Sequence, residues 1–362
     1  MQQSIVKGEI TAAFARDIGS FINVKGLSKK YPEAARDASR AAERGVWELQ
    51  VPPIKITKKS EKISIGPIVS SGEVVISIYN FGGISIRYNF GLEIELSELH
   101  QLACKLHIDE GLRKDAERHA STLLQEIKPY VRDHRLAPLT EEYFIINLQT
   151  LSNGPQGEVK NLAEHLLKNE QQILAKVLRG EPEDFSKDQI EDALRYRISY
   201  YENDVALIDW RAAVLVGTGF EDVLEVLEFS NLMLQQHGFL KQQIDESLDQ
   251  VYELCRKMTW YSRLLGGLSP HLLRIGRLML DAQDQFESIN DPLRVLGDQY
   301  LSQVYRLAEK RFHLEHLEHT IKEKLSSVRD VHEIMGGRAN ELLNLILSFA
   351  IVALFIYEVI KL

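Results

Sequence analysis

The chain has 362 residues and a formal net charge of −9, from 43 Lys and Arg against 52 Asp and Glu. This acidic balance argues against a general nucleic-acid binder, because no surplus of positive charge is available to neutralise phosphates. The length suffices for two compact units, and Cys104 and Cys255 form no CxxC pair, which favours a reducing compartment. The start, MQQSIVKGEITAAF, lacks the features of a signal or transit peptide, so we expect no cleaved leader.

Strand and helix signals alternate along the N-terminal half of the chain. A run rich in Ala, Arg and Glu behind Pro32 predicts a helix from Tyr31 to Arg44. Two apolar runs at residues 74–79 and 84–88 flank the sequence Asn-Phe-Gly-Gly and predict a β-hairpin. Further strands are predicted at residues 8–18, 54–57 and 63–65.

Further elements follow in the same alternating order. Ser97 is the candidate N-cap of a helix whose leucines recur at helical spacing. Gly180 would end a later helix, because glycine readily adopts the left-handed conformation of a C-cap. A helix, a strand and this later helix are predicted at residues 115–127, 143–148 and 162–178.

A second hairpin followed by a helix is predicted between residues 196 and 236. Strands at 196–201 and 205–216 flank a turn of Glu, Asn and Asp, and a helix at 221–236 follows. Two units of this kind favour antiparallel pairing. We therefore predict an α+β fold for residues 1–240, with helices covering one face of a mixed, mainly antiparallel sheet.

Strand signals stop after residue 240, and helical spacing takes over. Helices are predicted at residues 244–258 and 271–286, followed by one long helix from about 293 to 335. Residues 241–337 thus form an all-α helical or coiled-coil stalk. Its narrow apolar stripe would pack on the preceding helices or on the same helix of another copy, so we expect a homo-oligomer.

The last predicted region, residues 338–362, contains the most apolar segment of the chain. Leu342–Ile360 is long enough to cross a bilayer as one helix of roughly 28 Å, with Glu358 near its far end. Basic residues precede this span, so the positive-inside tendency predicts that the N-terminal bulk lies in the cytoplasm, at a bacterial inner membrane or its equivalent. The residues assigned to the membrane anchor are Leu342, Leu345, Phe349, Leu354 and Tyr357.

Two motifs resemble known sites but have simpler explanations. His313, His316 and His319 are spaced by three, and imidazoles at such spacing can share a metal ion. Each step of three turns about −60° around a helix, so the three rings spread apart and a solvated helix face explains them better. Gly217-Thr-Gly219 lies between a strand and a helix, but Asp222 replaces the third glycine of a dinucleotide loop. We expect no metal and no cofactor.

Tyr200, Tyr201, Asp204, Asp209 and Trp210 combine aromatic rings and carboxylates around the second hairpin. This composition predicts a surface that binds a partner, because aromatic residues are enriched at protein interfaces. The alternative is packing and turn chemistry, with Asp209 either facing solvent or satisfying a buried donor. No phosphate-loop, zincin or hydrolase signature occurs in the sequence, so no catalytic residue is predicted.

Several segments give the chain a resemblance to a known family: SIYNFGGISIRYNFGLEIELSELHQL, SYYENDVALIDWRAAVLV, LEVLEFSNLMLQQ and FIYEVI. With them the chain resembles the "required for meiotic nuclear division" family, which includes membrane-anchored bacterial proteins and mitochondrial inner-membrane relatives. The resemblance implies an α+β domain, a helical stalk and one C-terminal anchor. For the mitochondrial relatives it implies a tethering role in organellar translation, and it implies no catalytic residue.

The sequence therefore predicts a tail-anchored, oligomeric membrane scaffold whose cytosolic head recruits a protein partner. It predicts no enzyme, although an unrecognised active site near Asp204, Asp209 and Trp210 is one alternative. Another is a single-span ion-conducting oligomer in which Asn344 and Ser348 face a pore. A magnesium channel of the kind with a long stalk helix needs a Gly-Met-Asn loop between two spans, and no Gly-Met-Asn occurs in the sequence.

Overall fold

The computed structural model of the chain describes residues 4–34, 51–153, 157–257, 277, 280, 282–287, 289, 298–327 and 329–330. The chain divides into two compact units. The first unit is Met1–Phe239 with Ser288–Glu315, and the second is Leu240–Glu287 with His316–Leu362. The β-sheet belongs entirely to the first unit.

The described residues form eleven strands and a series of α-helices. The strands are β1 (Ile5–Asp17), β2 (Phe21–Ile22), β3 (Ile54–Lys59), β4 (Ser64–Ile65), β5 (Ile68–Ile78), β6 (Gly83–Glu95), β7 (Val131–Arg132), β8 (Thr140–Ser152), β9 (Arg197–Ile198), β10 (Val205–Ile208) and β11 (Ala212–Val216). The helices are α1 (Val24–Lys30), α2 (Leu99–Ile108), α3 (Glu110–Ile127), α4 (Leu162–Asn169), α5 (Gln171–Arg179), α6 (Lys187–Ala193), α7 (Glu221–Lys257) and α8 (Gln299–Arg311).

Nine strands form one sheet in the order β3-β5-β6-β1-β8-β11-β10-β9, with β4 paired to β5. Neighbouring strands are antiparallel except for β8 and β11, which are parallel. The 13-residue strand β1 is central, because it pairs along its length with both β6 and β8. Strands β2 and β7 form a separate ribbon. The predicted mixed, mainly antiparallel sheet is confirmed.

Strands β5 and β6 form the first predicted hairpin. Its turn is closed by the Tyr79 N–H, which donates to the Gly83 carbonyl at 3.0 Å. Gly82 has a φ of 93°, and a Cβ at this position would lie 1.7 Å from the Gly19 carbonyl oxygen. Glycine is therefore required by the turn itself and by the close approach of a second backbone segment.

Helices cover both faces of the sheet. On one face, which α2 to α6 cover, the Tyr88 hydroxyl donates to Asp115 of α3 at 2.8 Å above a continuous apolar core. On the other face, the part of α7 before residue 240 contributes Phe229, whose ring lies 5.7 Å from that of Tyr79. The prediction of helices on a single face is wrong. Segments such as ITAAFA in β1 are apolar on both sides because both sides are buried.

The predicted strand at residues 205–216 is in fact two strands joined by a tight turn. Strand β10 ends at Ile208 and β11 begins at Ala212, and the Asp209 N–H donates to the Ala212 carbonyl at 3.0 Å. The prediction fails because buried apolar residues continue on both sides of the turn. This turn determines where Asp209 and Trp210 lie.

Other predicted boundaries also change. The helix at 162–178 breaks at Glu170 into α4 and α5, whereas Gly180 does end α5, with a φ of 64°. The helices at 221–236 and 244–258 are one continuous helix, α7. Ser97 is not an N-cap, because it lies within a 3₁₀ turn and its hydroxyl contacts Glu95 at 3.4 Å. Helices α1 and α6 have no counterpart in the prediction.

The long predicted helix at 293–335 is interrupted. Helix α8 ends at Arg311, and His313 has a φ of 56°, which a continuous helix does not allow. Residues 314–327 are again helical. The apolar stripe continues through the break, so hydrophobic spacing alone gives no sign of it.

Several predictions fall outside the described residues. They are the membrane span at 342–360, with its residues Leu342, Leu345, Phe349, Leu354 and Tyr357, most of the helix at 31–44, and most of the helix at 271–286. Within the part of the chain that the structure describes, no helix combines the length and the apolar character that crossing a membrane requires.

Candidate interaction surface

The five residues predicted to form a partner surface lie at opposite ends of β10. Tyr200, Tyr201 and Asp204 precede this strand, and Asp209 and Trp210 follow it. At a rise of roughly 3.3 Å per residue, Asp204 and Asp209 are about 16 Å apart along the chain. The structure therefore separates the predicted surface into two sites with different environments.

The first site is an exposed aromatic turn, which we call the tyrosine tip (Tyr200 and Tyr201). The two side chains are 60% and 71% exposed, and their rings meet edge to face with centroids 4.7 Å apart. Tyr300 of α8 packs edge to face against Tyr200 at 5.0 Å. The tip thus presents two aromatic rings to solvent, and the ring of Tyr300 packs against one of them, Tyr200.

Asp204 holds the tyrosine tip in shape. Its carboxylate accepts the backbone N–H of Tyr200 at 2.8 Å and that of Tyr201 at 3.1 Å. Burial, followed by the nearby charges of Asp204 and Asp298, raises the pKa of the Tyr300 hydroxyl to about 12, so this supporting ring stays neutral at physiological pH. The carboxylate of Asp204 organises its own turn, as acidic side chains in turns commonly do.

The second site surrounds Asp209, which is fully buried. Arg311 lies 2.6 Å from Asp209 Oδ1, and Arg179 lies 3.4 Å from Asp209 Oδ2. Asp192 joins both arginines, at 2.7 Å from Arg179 and 3.1 Å from Arg311. We call Arg179, Asp192, Asp209 and Arg311 the four-ion cluster. Burial raises the pKa of Asp209, against the opposing effects of the Trp210 N–H and the two arginines.

The four-ion cluster joins helices from both faces of the sheet. Arg179 ends α5 and Asp192 lies on α6, whereas Arg311 ends α8. Two cations and two anions balance formally, as buried charges require. The buried-donor alternative for Asp209 is thus the one that the structure shows, and sequence reasoning missed the two arginines that it binds and the second carboxylate, Asp192.

Trp210 remains exposed beside this cluster. Its side chain is 57% exposed, and its backbone N–H donates to Asp209 Oδ1 at 2.7 Å. The carboxylates of Asp204 and Asp209 each bind partners of their own and do not converge on a common point. The geometry therefore offers two separate aromatic contact points and no shared acid–base pair among these residues.

The residues considered as metal or cofactor candidates lie on an exposed helix face and the turn before it, and in a strand-to-helix turn. His313, His316 and His319 are exposed, and His319 lies 3.5 Å from Glu323. Among the described residues, no group of three His, Cys, Asp or Glu side chains is arranged to hold a metal ion. Gly217 and Gly219 form the strand-to-helix turn between β11 and α7, with φ values of 125° and 78°.

The sheet and its covering helices correspond to a recognised family. The family model described as "Uncharacterized protein MJ0711, N-terminal domain" matches residues 7–221, more than half of the chain. The chain belongs to this family. The match begins within β1 and ends at the first residue of α7, so it includes nearly the whole sheet, the tyrosine tip and Trp210.

A relative also shows similarity to this chain. Uncharacterized protein MJ0711 of Methanocaldococcus jannaschii is 21% identical to this chain over 241 residues. The alignment covers 66% of this chain and 70% of that protein. No solved structure matches the chain.

Membership of the MJ0711 family corrects the resemblance to the "required for meiotic nuclear division" family. The comparisons give the MJ0711 family and a relative from it, and they give no link to the other family. Two segments that suggested the resemblance form the β5–β6 hairpin and the β9–β11 turns. Apolar alternation around Gly, Asn and Asp turns is shared by antiparallel sheets of unrelated function, so it does not identify a family.

Proposed function

We propose that the chain is a membrane-anchored scaffold whose α+β head recruits a protein partner through the tyrosine tip. The observation that carries the proposal is the exposure of Tyr200 and Tyr201 on a turn that Asp204 holds in place. Tyrosine contributes a large apolar area and a hydroxyl that can hydrogen-bond. It is therefore enriched at protein interfaces and among residues that dominate binding energy.

The order of the tip supports a role in binding. Association costs free energy when a flexible loop must be fixed, and a turn that is already fixed avoids that cost. Two hydrogen bonds to Asp204 and the packing of Tyr300 on Tyr200 hold the exposed rings in one arrangement. The tip needs little reorganisation when a partner approaches.

The membrane part of the proposal rests on sequence. Residues 342–360 form an apolar run of bilayer length in which Glu358 is the one charged residue. Lys and Arg precede the run, so the head would face the cytoplasm. A head that binds a protein and a span that inserts in lipid together would concentrate the partner at the membrane surface.

The carboxylates near β10 favour binding over turnover. A general acid or base needs access to substrate and a proton that it can transfer. Asp204 instead accepts two backbone N–H groups, and Asp209 is buried between Arg179 and Arg311. The same arrangement is well suited to a rigid contact surface.

Photo-crosslinking in cells tests the proposal. A photo-reactive amino acid replaces Glu202, an exposed residue of the same turn, in the full chain. A matched control places it at Lys114, an exposed residue of α3. We expect a discrete adduct in the membrane fraction from position 202 and none from position 114. The adduct should disappear when Tyr200 and Tyr201 are both replaced by alanine.

Two outcomes would contradict the proposal. Equal labelling from both positions would show that the tip has no specific partner, and recovery of the full chain in the aqueous fraction without detergent would remove the anchor. The mass of the adduct separates a different protein from a second copy of this chain. An adduct with a second copy of this chain would show self-association at the tip in place of partner recruitment.

A further inference from the structure

A cavity of about 130 Å³ lies between α3 and the sheet, on the face opposite α7. Its apolar walls are Phe14 of β1, Ile86 of β6 and Ala116 and Ala120 of α3. Its polar lining includes Arg16, which follows Phe14 by two residues on the same face of β1. The cavity is comparable to an engineered cavity of roughly 150 Å³ that holds benzene, so it has room for a molecule of about six heavy atoms.

Arg16 is a buried cation with weak compensation. The residue is 8% exposed, its Nε donates to the Ala137 carbonyl at 2.9 Å, and its Nη1 lies 3.5 Å from Glu117 Oε1. The Glu117 side chain is 58% exposed, so water competes for its carboxylate. A buried guanidinium has five N–H donors and needs a close anionic partner, which Glu117 supplies only at long range.

The second arginine of the cavity already has an anionic partner. Arg113 Nε donates to Glu142 Oε2 at 3.0 Å and lies 2.8 Å from Oε1, and its Nη2 donates to the His107 carbonyl. The charge of Glu142 is therefore neutralised within the wall. The remaining group that can attract an anion is the Arg16 guanidinium, with the hydroxyl-bearing Thr140 directly across from it in β8.

We propose that this cavity binds a small aliphatic monocarboxylate. Its two oxygens accept from the Arg16 guanidinium and the Thr140 hydroxyl, and its short apolar tail packs against Phe14 and Ile86. The ligand supplies the close anion that Arg16 lacks and displaces the long Glu117 contact. A carboxylate matches the planar fork of arginine, and the apolar walls favour a hydrocarbon tail over a second charge.

Titration calorimetry with sodium butyrate tests the site on the full chain in detergent, with sodium chloride at matched ionic strength as the reference. We expect one butyrate per chain. Arg16→Gln should weaken binding at least tenfold, because it removes the cation.

The variant that distinguishes a binding site from a structural ion pair is Glu117→Gln. Removing the competing carboxylate should tighten butyrate binding about threefold or more. Glu110→Gln changes the net charge equally at an exposed position of the same helix and should leave the affinity unchanged. Glu117→Gln keeps an acceptor oxygen for Arg16 at a largely exposed position, so we expect it to fold even if Arg16→Gln does not.

Several results would overturn the assignment. They are no binding of butyrate to the parent chain, an unchanged or weaker affinity in Glu117→Gln, and an equal gain in Glu110→Gln. Tighter binding of inorganic phosphate than of butyrate would also overturn it, because phosphate has no tail for the apolar walls.

Discussion

The two ends of β10 use similar residues for opposite purposes. At its start, Asp204 binds the backbone of its own turn and leaves two tyrosine rings exposed. At its end, Asp209 is buried and binds Arg179 and Arg311 from distant helices. A half-buried carboxylate such as Asp204 can be satisfied locally and by water, whereas a fully buried one requires charges from elsewhere in the fold. The aromatic rings at the start of β10 are therefore accessible to a partner, whereas Asp209 at its end stabilises the fold.

The largest expected effect is at the buried end. Asp209→Ala leaves Arg179 and Arg311 with Asp192 as the remaining anion of the cluster, so we expect the free energy of unfolding to fall by about 4 kcal/mol. Asp209→Asn keeps the shape of the side chain and one acceptor oxygen, so it should lower the free energy of unfolding by less. Urea denaturation followed by circular dichroism measures both. A loss below about 1 kcal/mol in Asp209→Ala would show that the cluster does not hold the helices.

Asp17 sharpens the comparison, because it is a buried carboxylate that forms an ion pair with a single arginine among the described residues, Arg135, at 2.8 Å. Burial raises its pKa from 3.8 to about 6, although Arg135 opposes the shift. The folded state thus holds a proton that the unfolded chain releases, and the stability from this group falls as the pH rises from about 4 to about 6. The full change is about 3 kcal/mol.

Asp17→Asn should remove that pH dependence. The measurement is the difference in free energy of unfolding between the parent chain and the variant, taken at about pH 4 and about pH 7. We expect the parent to lose stability relative to the variant on going to the higher pH. A difference that stays constant would contradict the raised pKa.

Gly180 tests how closely the buried end is packed, since it follows Arg179 at the end of α5. Its φ is 64°, and an added Cβ would lie 2.1 Å from His107 Cδ2. We expect Gly180→Ala to lower the free energy of unfolding by about 2 kcal/mol. Gly219→Ala is the matched control, because its φ is 78° and no described atom lies within 4 Å of the added Cβ. We expect Gly219→Ala to lower the free energy of unfolding by about 1 kcal/mol. Equal losses in the two variants would show that the contact with His107 does not destabilise Gly180→Ala.

The smallest effect is expected at the exposed end. Asp204→Ala removes the acceptor for the Tyr200 and Tyr201 N–H groups, but water can replace it, so the loss of stability should be about 1 kcal/mol. Hydrogen exchange of the two tip amides should nevertheless speed up. Asp204→Asn retains an acceptor and should preserve most of the protection. Unchanged exchange in both variants would show that Asp204 does not order the tip.

Elements determined by local chemistry could be predicted from the sequence. The β5–β6 hairpin follows from apolar runs around Asn-Phe-Gly-Gly, and Gly180 ends a helix because it adopts a positive φ. The leucine face at residues 99, 102 and 106 is buried as helical spacing predicts. Composition also indicated Tyr200 and Tyr201 as candidates for a partner surface, and both side chains are exposed, although the partner surface itself stays a prediction.

Elements determined by distant contacts could not be predicted. Asp209 meets partners 30 and 102 residues away, and no spacing rule connects them. Asp209 is the one acidic residue in the apolar run at 205–216, and it is the sequence feature that could have indicated both the β10–β11 turn and the four-ion cluster. The break at His313 interrupts an apolar stripe that continues on both sides, so periodicity cannot detect it. Loose hairpin motifs likewise suggested the wrong family.

The most direct test of this division of roles combines two measurements on one sample, the full chain with the photo-reactive residue at position 202. They are the adduct yield in the membrane fraction and the free energy of unfolding, each compared with a variant in which Tyr200 and Tyr201 are alanine. We predict that the adduct is lost while the free energy of unfolding changes by less than about 0.5 kcal/mol. An adduct at full yield in the variant, or a loss of stability of about 2 kcal/mol or more, would contradict the account.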